Sequence, residues 1–189
     1  MNQVLATKQK ISYGTIFNII GLFGISAALT VAFYYQLVLS ELPCPLCLLQ
    51  RTGMIMIGFG FLFNLRFGIK SAHYGIALIG CIVTGIIAIR QVFLHIMPGD
   101  TGYGSALFGL HFYTWALLSS IIAIIAISVM LILKSLEKTT EEKENAPVFG
   151  QILIGLFVLL IAANLISTVL ECGGGQCDDN PTFYQLLGK

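Results

Sequence analysis

Charged side chains are scarce in this chain of 189 residues. Asp, Glu, Lys and Arg together make up 10% of the sequence, whereas roughly 25% is usual in a soluble domain. The hydrophobic share is 57%, which leaves too little polar surface to cover a soluble fold. The composition therefore excludes a soluble domain. It predicts an all-α integral membrane protein, because segments this apolar can satisfy their backbone groups in lipid only as helices.

An excess of positive charge is lacking as well. The formal net charge at neutral pH is +1, whereas nucleic-acid binding depends on a surplus of Lys and Arg that neutralises phosphates. We therefore expect no nucleic-acid partner.

Five apolar runs are each close to the roughly 20 residues that a membrane-spanning helix needs. They cover Tyr13–Leu39, Leu48–Leu65, Ala72–Ile96, His111–Leu133 and Val148–Leu170. The first run is longer than the apolar segment of a secretory signal, so we expect an uncleaved anchor helix. The chain holds 20 glycines, which favours close packing of helices in lipid.

The basic residues near the ends of these runs predict the orientation. If the N-terminus is cytoplasmic, seven of the ten Lys and Arg residues fall inside: Lys8, Lys10, Arg66, Lys70, Lys134, Lys138 and Lys143. Only Arg51, Arg90 and Lys189 then fall outside. Because Lys and Arg accumulate on the cytoplasmic side, we predict that the N-terminus is inside and the C-terminus outside.

Four of the five cysteines form two local pairs, Cys44 with Cys47 and Cys172 with Cys177. The predicted orientation places both pairs on the outer face, where disulfides persist. Cys81 lies within the third apolar run, and we expect it to pack as a small hydrophobic residue.

The first pair has the spacing C-x-x-C, within Pro43-Cys44-Pro45-Leu46-Cys47. The prolines indicate a break between helices, and we expect the next helix to begin near Cys47. Its free N–H groups and dipole would favour a thiolate on Cys47, and Arg51 follows one turn later. The pattern is typical of a redox centre. The alternative is a structural disulfide at the membrane surface, with Arg51 reaching to the lipid headgroups.

Three glycines lie within the second pair, and Asp178 and Asp179 follow it. We expect a mobile, exposed and exchange-prone disulfide, whose acidic neighbours disfavour a thiolate. A mobile pair and an anchored pair suit an electron relay. A purely structural disulfide and a four-sulfur zinc site built from both pairs remain alternatives, although no histidine accompanies the cysteines. For the apolar segment Pro181–Leu187 three placements stay open: on the membrane surface, over the loops, or against a partner.

Two segments resemble one known family. Cys44-Pro45-Leu46-Cys47 followed by Gln50-Arg51 is similar to the C-x-x-C-x-x-Q-R signature of the DsbB disulfide-bond formation proteins. Arg90-Gln91-Val92-Phe93-Leu94-His95 resembles the outer end of that family's third helix. With the spacing of the apolar runs, the resemblance covers about Thr15 to Leu133.

The resemblance implies a four-helix bundle in the bacterial inner membrane, here with a fifth transmembrane helix added. It implies that the protein reoxidises a periplasmic DsbA-like thioredoxin-fold protein and passes the electrons to ubiquinone or menaquinone. Cys47 would engage the quinone, and Arg51 would help to hold it. Cys44 would exchange with the second pair. His95 and Arg90 are further candidates for the quinone site, although an interfacial histidine and an arginine reaching the headgroups are the simpler interpretations.

The sequence departs from the family pattern in one respect. The second pair is expected between the third and fourth helices, yet Met97–Leu110 contains no cysteine. We therefore predict a redox core over 1–134, a cytoplasmic connector over 135–147, a fifth helix over 148–170 and a periplasmic tail over 171–189. A non-catalytic transporter or assembly factor with structural disulfides is the rival interpretation.

Overall fold

The computed structural model describes residues 12–136 and 146–188. Within them, five helices are long and apolar enough to cross a membrane. They are α1 (Tyr13–Val38), α2 (Pro45–Phe67), α3 (Ser71–Leu94), α4 (Phe112–Leu136) and α5 (Val148–Cys172). The predicted all-α, multi-pass membrane architecture is thereby confirmed. Most of the predicted connector 135–147, together with Lys8, Lys10, Lys138, Lys143 and Lys189, lies outside the described residues.

Helix α2 is the central element of the bundle. It packs against α1 on one side and α3 on the other, while α4 covers α3 and α5 lies mainly against α1. Small residues bring α2 and α3 together: a side chain at Gly60 would overlap the His73 carbonyl and Ala77. Gly80 lies equally close to the backbone of α2. The glycines therefore do what the composition predicted, since they let two helices approach at backbone distance.

The core between the helices is apolar, with buried groups from all five of them, including Leu22, Ile57, Tyr74, Ile127 and Phe157. Phe157 reaches from α5 to Gly58 of α2, where a β-carbon would collide with its ring. The fifth helix is therefore packed into the same core as the other helices.

A buried polar network joins three helices at one end of the bundle. The Asn18 amide donates to the Tyr74 hydroxyl at 2.8 Å, and the Asn64 amide donates to the Asn18 side chain at 2.9 Å. Lys134 of α4 reaches the Ile69 carbonyl at the same end. Since buried polar groups need such partners, Asn18 in the first apolar run marks a helix contact.

The segment between α3 and α4 contains a small hairpin. Strands β1 (Ala106–Leu107) and β2 (Leu110–His111) pair in antiparallel register. The two residues between them, Phe108 and Gly109, have φ of 52° and 80°, as a type I′ turn requires. The sequence predicted only a loop here.

Candidate functional site

The Cys44–Cys47 disulfide lies at the beginning of α2, with 5.0 Å between its Cα atoms. Cys44 is the N-cap, and its sulfur accepts the backbone N–H of Cys47 at 3.2 Å. The helix begins at Pro45, two residues earlier than predicted, because a proline in the first turn lacks only an N–H that would be unbonded anyway. In the disulfide-bonded state the backbone N–H of Cys47 points at the sulfur of Cys44, and the favouring of a thiolate on Cys47 by the helix start stays a prediction.

The side chain of Gln91 contacts this disulfide, and Gln50 holds Gln91 in place. The Gln91 amide nitrogen lies 3.4 Å from the Cys44 sulfur and 3.7 Å from the Cys47 sulfur. Gln50 donates to the Gln91 amide oxygen at 2.7 Å, and both glutamines are buried. Because Gln50 is bonded to the side-chain oxygen of Gln91, the NH₂ group of Gln91 is turned towards the sulfurs.

Arg51 points into the bundle, towards α1. Its guanidinium donates to the Gln36 side chain at 2.6 Å and to the Ala32 carbonyl at 3.2 Å, and it lies 5.5 Å from the centre of the Phe33 ring. The side chain is buried. The alternative in which Arg51 reaches to the lipid headgroups is therefore wrong, and the groups that contact the sulfurs are amides.

The second disulfide joins the last residue of α5, Cys172, to Cys177 in the tail, with 4.5 Å between their Cα atoms. The chain leaves the helix through Gly173, whose φ of 62° is the left-handed conformation that glycine adopts readily. Cys172 is buried and Cys177 is half-buried, while Gly173–Gln176 are exposed. The prediction of an exposed disulfide is therefore correct for the loop that the disulfide closes. It is wrong for Cys172, which is buried.

The tail folds back over the end of α5. The backbone N–H groups of Gln185 and Leu186 donate to the carbonyls of Glu171 and Leu170, at 3.3 and 3.1 Å. These carbonyls belong to the last turn of the helix and have no partner within it. Of the three placements left open for Pro181–Leu187, the structure shows the segment over the bundle.

Gln36 connects the two halves of the site. Its amide nitrogen donates to the Ser167 hydroxyl of α5 at 2.6 Å and to the Tyr184 hydroxyl of the tail at 3.1 Å. Its oxygen accepts from Arg51 of α2. A single buried glutamine of α1 therefore holds α2, α5 and the tail together. The two disulfides consequently lie at the same end of the bundle.

His95 and Arg90 lie near the C-terminal end of α3 and, within the described residues, make no polar contact with the sulfurs of the first disulfide. His95 pairs with Asp100 at 3.1 Å and stacks on Tyr113, while the Arg90 side chain is exposed. Asp100 also accepts the backbone N–H of Gly102 at 2.8 Å. This backbone hydrogen bond, followed by the one from His95, holds the pKa of Asp100 below its usual value.

The segment before α4 lies against the segment before the first disulfide. The Tyr103 hydroxyl donates to the Leu42 carbonyl at 2.8 Å, and Ser105 binds the Glu41 carboxylate through its N–H and its hydroxyl. Burial, followed by the charges of Glu171 and Glu41, raises the pKa of Tyr103. These contacts fix the turn that carries Pro43 and Cys44.

Sequence reasoning missed Gln50, Gln91, Gln36, Ser167, Tyr184 and Glu171 as parts of the site. Gln50 and Gln91 stand in the two motifs that carried the resemblance, and Gln36 is a polar exception in an apolar run. Ser167 and Glu171 gave no signal beyond polarity near the end of the fifth run. Cys81 is buried, as predicted. In the described part of the chain the four paired cysteines are joined in disulfides, and no cluster of three or more metal-binding side chains occurs.

Comparison with known proteins finds similarity in the first part of the chain. Residues 15–105 match the family model "Disulfide bond formation protein DsbB". The chain is 39% identical over 87 residues to "Disulfide bond formation protein B" of Nitrosococcus oceani, covering 43% of this chain and 50% of that protein. It is 40% identical over 77 residues to the protein of that name from Marinobacter nauticus, covering 38% and 45%.

The chain spans about half the length of the curated relatives it matches. No solved structure matches it significantly. The matched residues include α1, α2, α3 and the Cys44–Cys47 disulfide, whereas α5 and the Cys172–Cys177 disulfide follow them. Residues 15–105 of this multi-pass membrane protein are similar to the DsbB family of disulfide bond formation proteins.

Proposed function

We propose that the protein is a membrane thiol:quinone oxidoreductase that supports disulfide bond formation. The observation that carries the proposal is the presence of two disulfides at one end of a membrane bundle, one of them within a DsbB-family segment. Electrons would pass from a DsbA-like thioredoxin-fold partner to Cys172–Cys177, then to Cys44–Cys47, and finally to ubiquinone or menaquinone. We take Cys44, Cys47, Cys172 and Cys177 as the catalytic residues.

The direction of transfer follows from redox potentials. DsbA is itself a strong oxidant, near about −120 mV, so only an acceptor of higher potential can reoxidise it. For a two-electron couple, 30 mV corresponds to about 1.4 kcal/mol. A bound quinone supplies such an acceptor, which takes up two electrons and two protons at the edge of the lipid.

The residues around Cys47 suit a quinone. The ring oxygens of a quinone accept hydrogen bonds, and the amide of Gln91 presents N–H groups beside the disulfide. His95 follows one turn later on α3, and Leu49 and Phe93 expose apolar surface at this end of the bundle. The Arg51 guanidinium has five N–H groups in all, so it can bind an acceptor besides Gln36 and Ala32. We propose Cys47, Arg51, His95 and Arg90 as the residues that hold the quinone.

We place the protein in a bacterial inner membrane with both cysteine pairs in the periplasm. Arg66, Lys70 and Lys134 lie at the end of the bundle opposite the disulfides. Because basic residues favour the cytoplasmic side, the disulfides would face the oxidising compartment, where they persist.

The test is an assay of the whole chain, purified in detergent. Addition of dithiothreitol and a soluble ubiquinone or menaquinone analogue should give quinol at a rate proportional to protein concentration. Heat-denatured protein serves as the control. If quinol forms no faster than without protein while both disulfides remain intact, the rival interpretation as a transporter or assembly factor with structural disulfides replaces the proposal.

Gln91 offers a second test, at the level of the first disulfide. Replacing it by methionine keeps the length of the side chain but removes the N–H donor beside both sulfurs. A hydrogen bond to a charged group is worth about 1.5–3 kcal/mol, so the thiolate formed on reduction should be depleted roughly tenfold or more. Alkylation of the reduced Cys44–Cys47 pair by iodoacetamide at neutral pH should slow by that factor.

The matched control is Gln151→Met, on the exposed face of α5, where the Gln151 side chain donates to the Ala146 carbonyl. This variant should alkylate like the natural chain. Equal alkylation rates in Gln91→Met and the natural chain would show that the amide does not stabilise the thiolate.

A further inference from the structure

Glu171 is a buried acid that the proposed electron route does not use. Its side chain is 2% exposed, and neither carboxyl oxygen has a hydrogen-bond partner among the described residues. The other acids in the described part of the chain are exposed or half-buried. An acid held in this way at a helix end needs an explanation, because burying a carboxylate without a donor is unfavourable.

The groups that face Glu171 come from each neighbouring element. Arg51 of α2 and Tyr103 of the segment before α4 interact with its charge. Gln36 of α1 is hydrogen-bonded both to this arginine and to the Tyr184 hydroxyl of the tail. The only ion pair within 4.0 Å among the described side chains is His95–Asp100. Arg51 therefore acts on Glu171 through space rather than by contact.

This arrangement leaves the carboxyl group with two accessible charge states. Burial without donors favours the neutral acid, whereas the nearby guanidinium favours the carboxylate. A group balanced between these influences can accept and release a proton as the local charge changes. Charge changes at the adjacent residue, because Cys172 is one half of the second disulfide.

Opening this disulfide creates a thiolate that must be accommodated. Cys172 is 5% exposed, so a thiolate on this sulfur would be buried, while Cys177 is half-buried and accessible to a reductant. We propose that Glu171 holds the proton that Cys172 takes up when the Cys172–Cys177 disulfide opens and gives back when it closes. The inference deepens the proposed function by assigning a proton-holding residue to the second pair.

A reductant thiolate attacks the Cys177 sulfur, which forms a mixed disulfide, breaks the Cys172–Cys177 bond and leaves the electron pair on Cys172. Glu171 gives its proton to Cys172 and becomes a carboxylate near Arg51. The second thiol of the reductant releases its proton to solvent and attacks the mixed disulfide, which frees Cys177. Cys177 then takes one proton from solvent, and Glu171 stays a carboxylate near Arg51 until the disulfide closes and Cys172 returns the proton.

The test measures reduction of the second disulfide by dithiothreitol across a pH series, in the full chain without quinone or partner. Alkylation and mass spectrometry of the tail report the rate, which is divided by the concentration of dithiothreitol thiolate. In the natural chain this quotient should fall as pH rises through one ionisation. In Glu171→Gln it should be independent of pH and at least roughly tenfold lower at the acidic end, since general-acid assistance is commonly worth 10²–10⁴-fold.

The matched control is Asp178→Asn, which neutralises an exposed acid next to Cys177 that is bonded to Gln185. Its profile should follow that of the natural chain. Parallel profiles in Glu171→Gln and the natural chain would overturn the inference, as would loss of the ionisation in Asp178→Asn instead. Because no quinone takes part, these outcomes are independent of whether quinol forms in the assay of the proposed function.

A second measurement does not depend on whether Glu171→Gln folds. The infrared difference spectrum between the oxidised and dithiothreitol-reduced natural chain should contain a carboxyl signal, and Glu171→Asp should shift it. If reduction of the second disulfide leaves the carboxyl region unchanged in the natural chain, Glu171 exchanges no proton and the inference is wrong.

Discussion

Cys47→Ser is expected to abolish quinone reduction, with quinol formed from dithiothreitol no faster than in the absence of protein. The physical reason is that electrons leave a dithiol only through a sulfur that can form and break a disulfide. Serine keeps the size of the side chain and removes that chemistry. The measurement is the absorbance change of the quinone analogue, with purified protein and excess dithiothreitol.

The matched control for this variant is Cys81→Ala. Cys81 is a free, buried cysteine within α3, so its removal tests whether loss of any thiol affects the assay. This variant should retain quinone reduction, although the small cavity that it creates in the core costs stability. Undiminished turnover in Cys47→Ser would mean that the redox centre does not include the C-x-x-C motif.

The double variant Cys172→Ala/Cys177→Ala is expected to separate two activities. It should lose oxidation of a reduced thioredoxin-fold protein, falling to the rate seen without enzyme. It should keep quinone reduction by dithiothreitol, because a small dithiol can reach the half-buried Cys47 directly. Such a split would assign the second disulfide to partner oxidation and the first to quinone reduction.

Two measurements decide how the double variant is interpreted. Retained reduction by dithiothreitol shows that the bundle is still folded, even though the tail is bonded to α5 and Gln36. A normal rate of partner oxidation in the double variant would show that the tail is not the relay. The partner would then act on Cys44–Cys47 directly, and the second disulfide would be structural.

The helices were predictable because their cause is local. A run of about 20 apolar residues in lipid has no stable form other than a helix, so all five appear close to their predicted ranges. Two of the boundary differences, at Pro45 and at Glu171–Cys172, arose where polar or helix-breaking residues still fit a helix end. Proline is accepted in the first turn of a helix. At the other end, the tail donates hydrogen bonds to the carbonyls of the last turn of α5.

The site itself was only partly predictable. The sequence identified the four cysteines and Arg51, since their spacing and residue types carry the chemistry. It did not indicate that Gln91 contacts both sulfurs, because that contact depends on which face of α3 meets α2. Close backbone contacts at Gly60 and Gly80 decide that face, and they involve residues far apart in the chain.

By itself, then, the amino-acid sequence determined the membrane class, the number of helices and the grouping of four cysteines into two local pairs, because each follows from composition or from spacing of a few residues. Only the tertiary structure decided that Arg51 points to Gln36, that the tail covers α5 and that Glu171 is buried without a partner. These arrangements depend on how five helices pack against one another, and packing is a property of surfaces that no local pattern specifies.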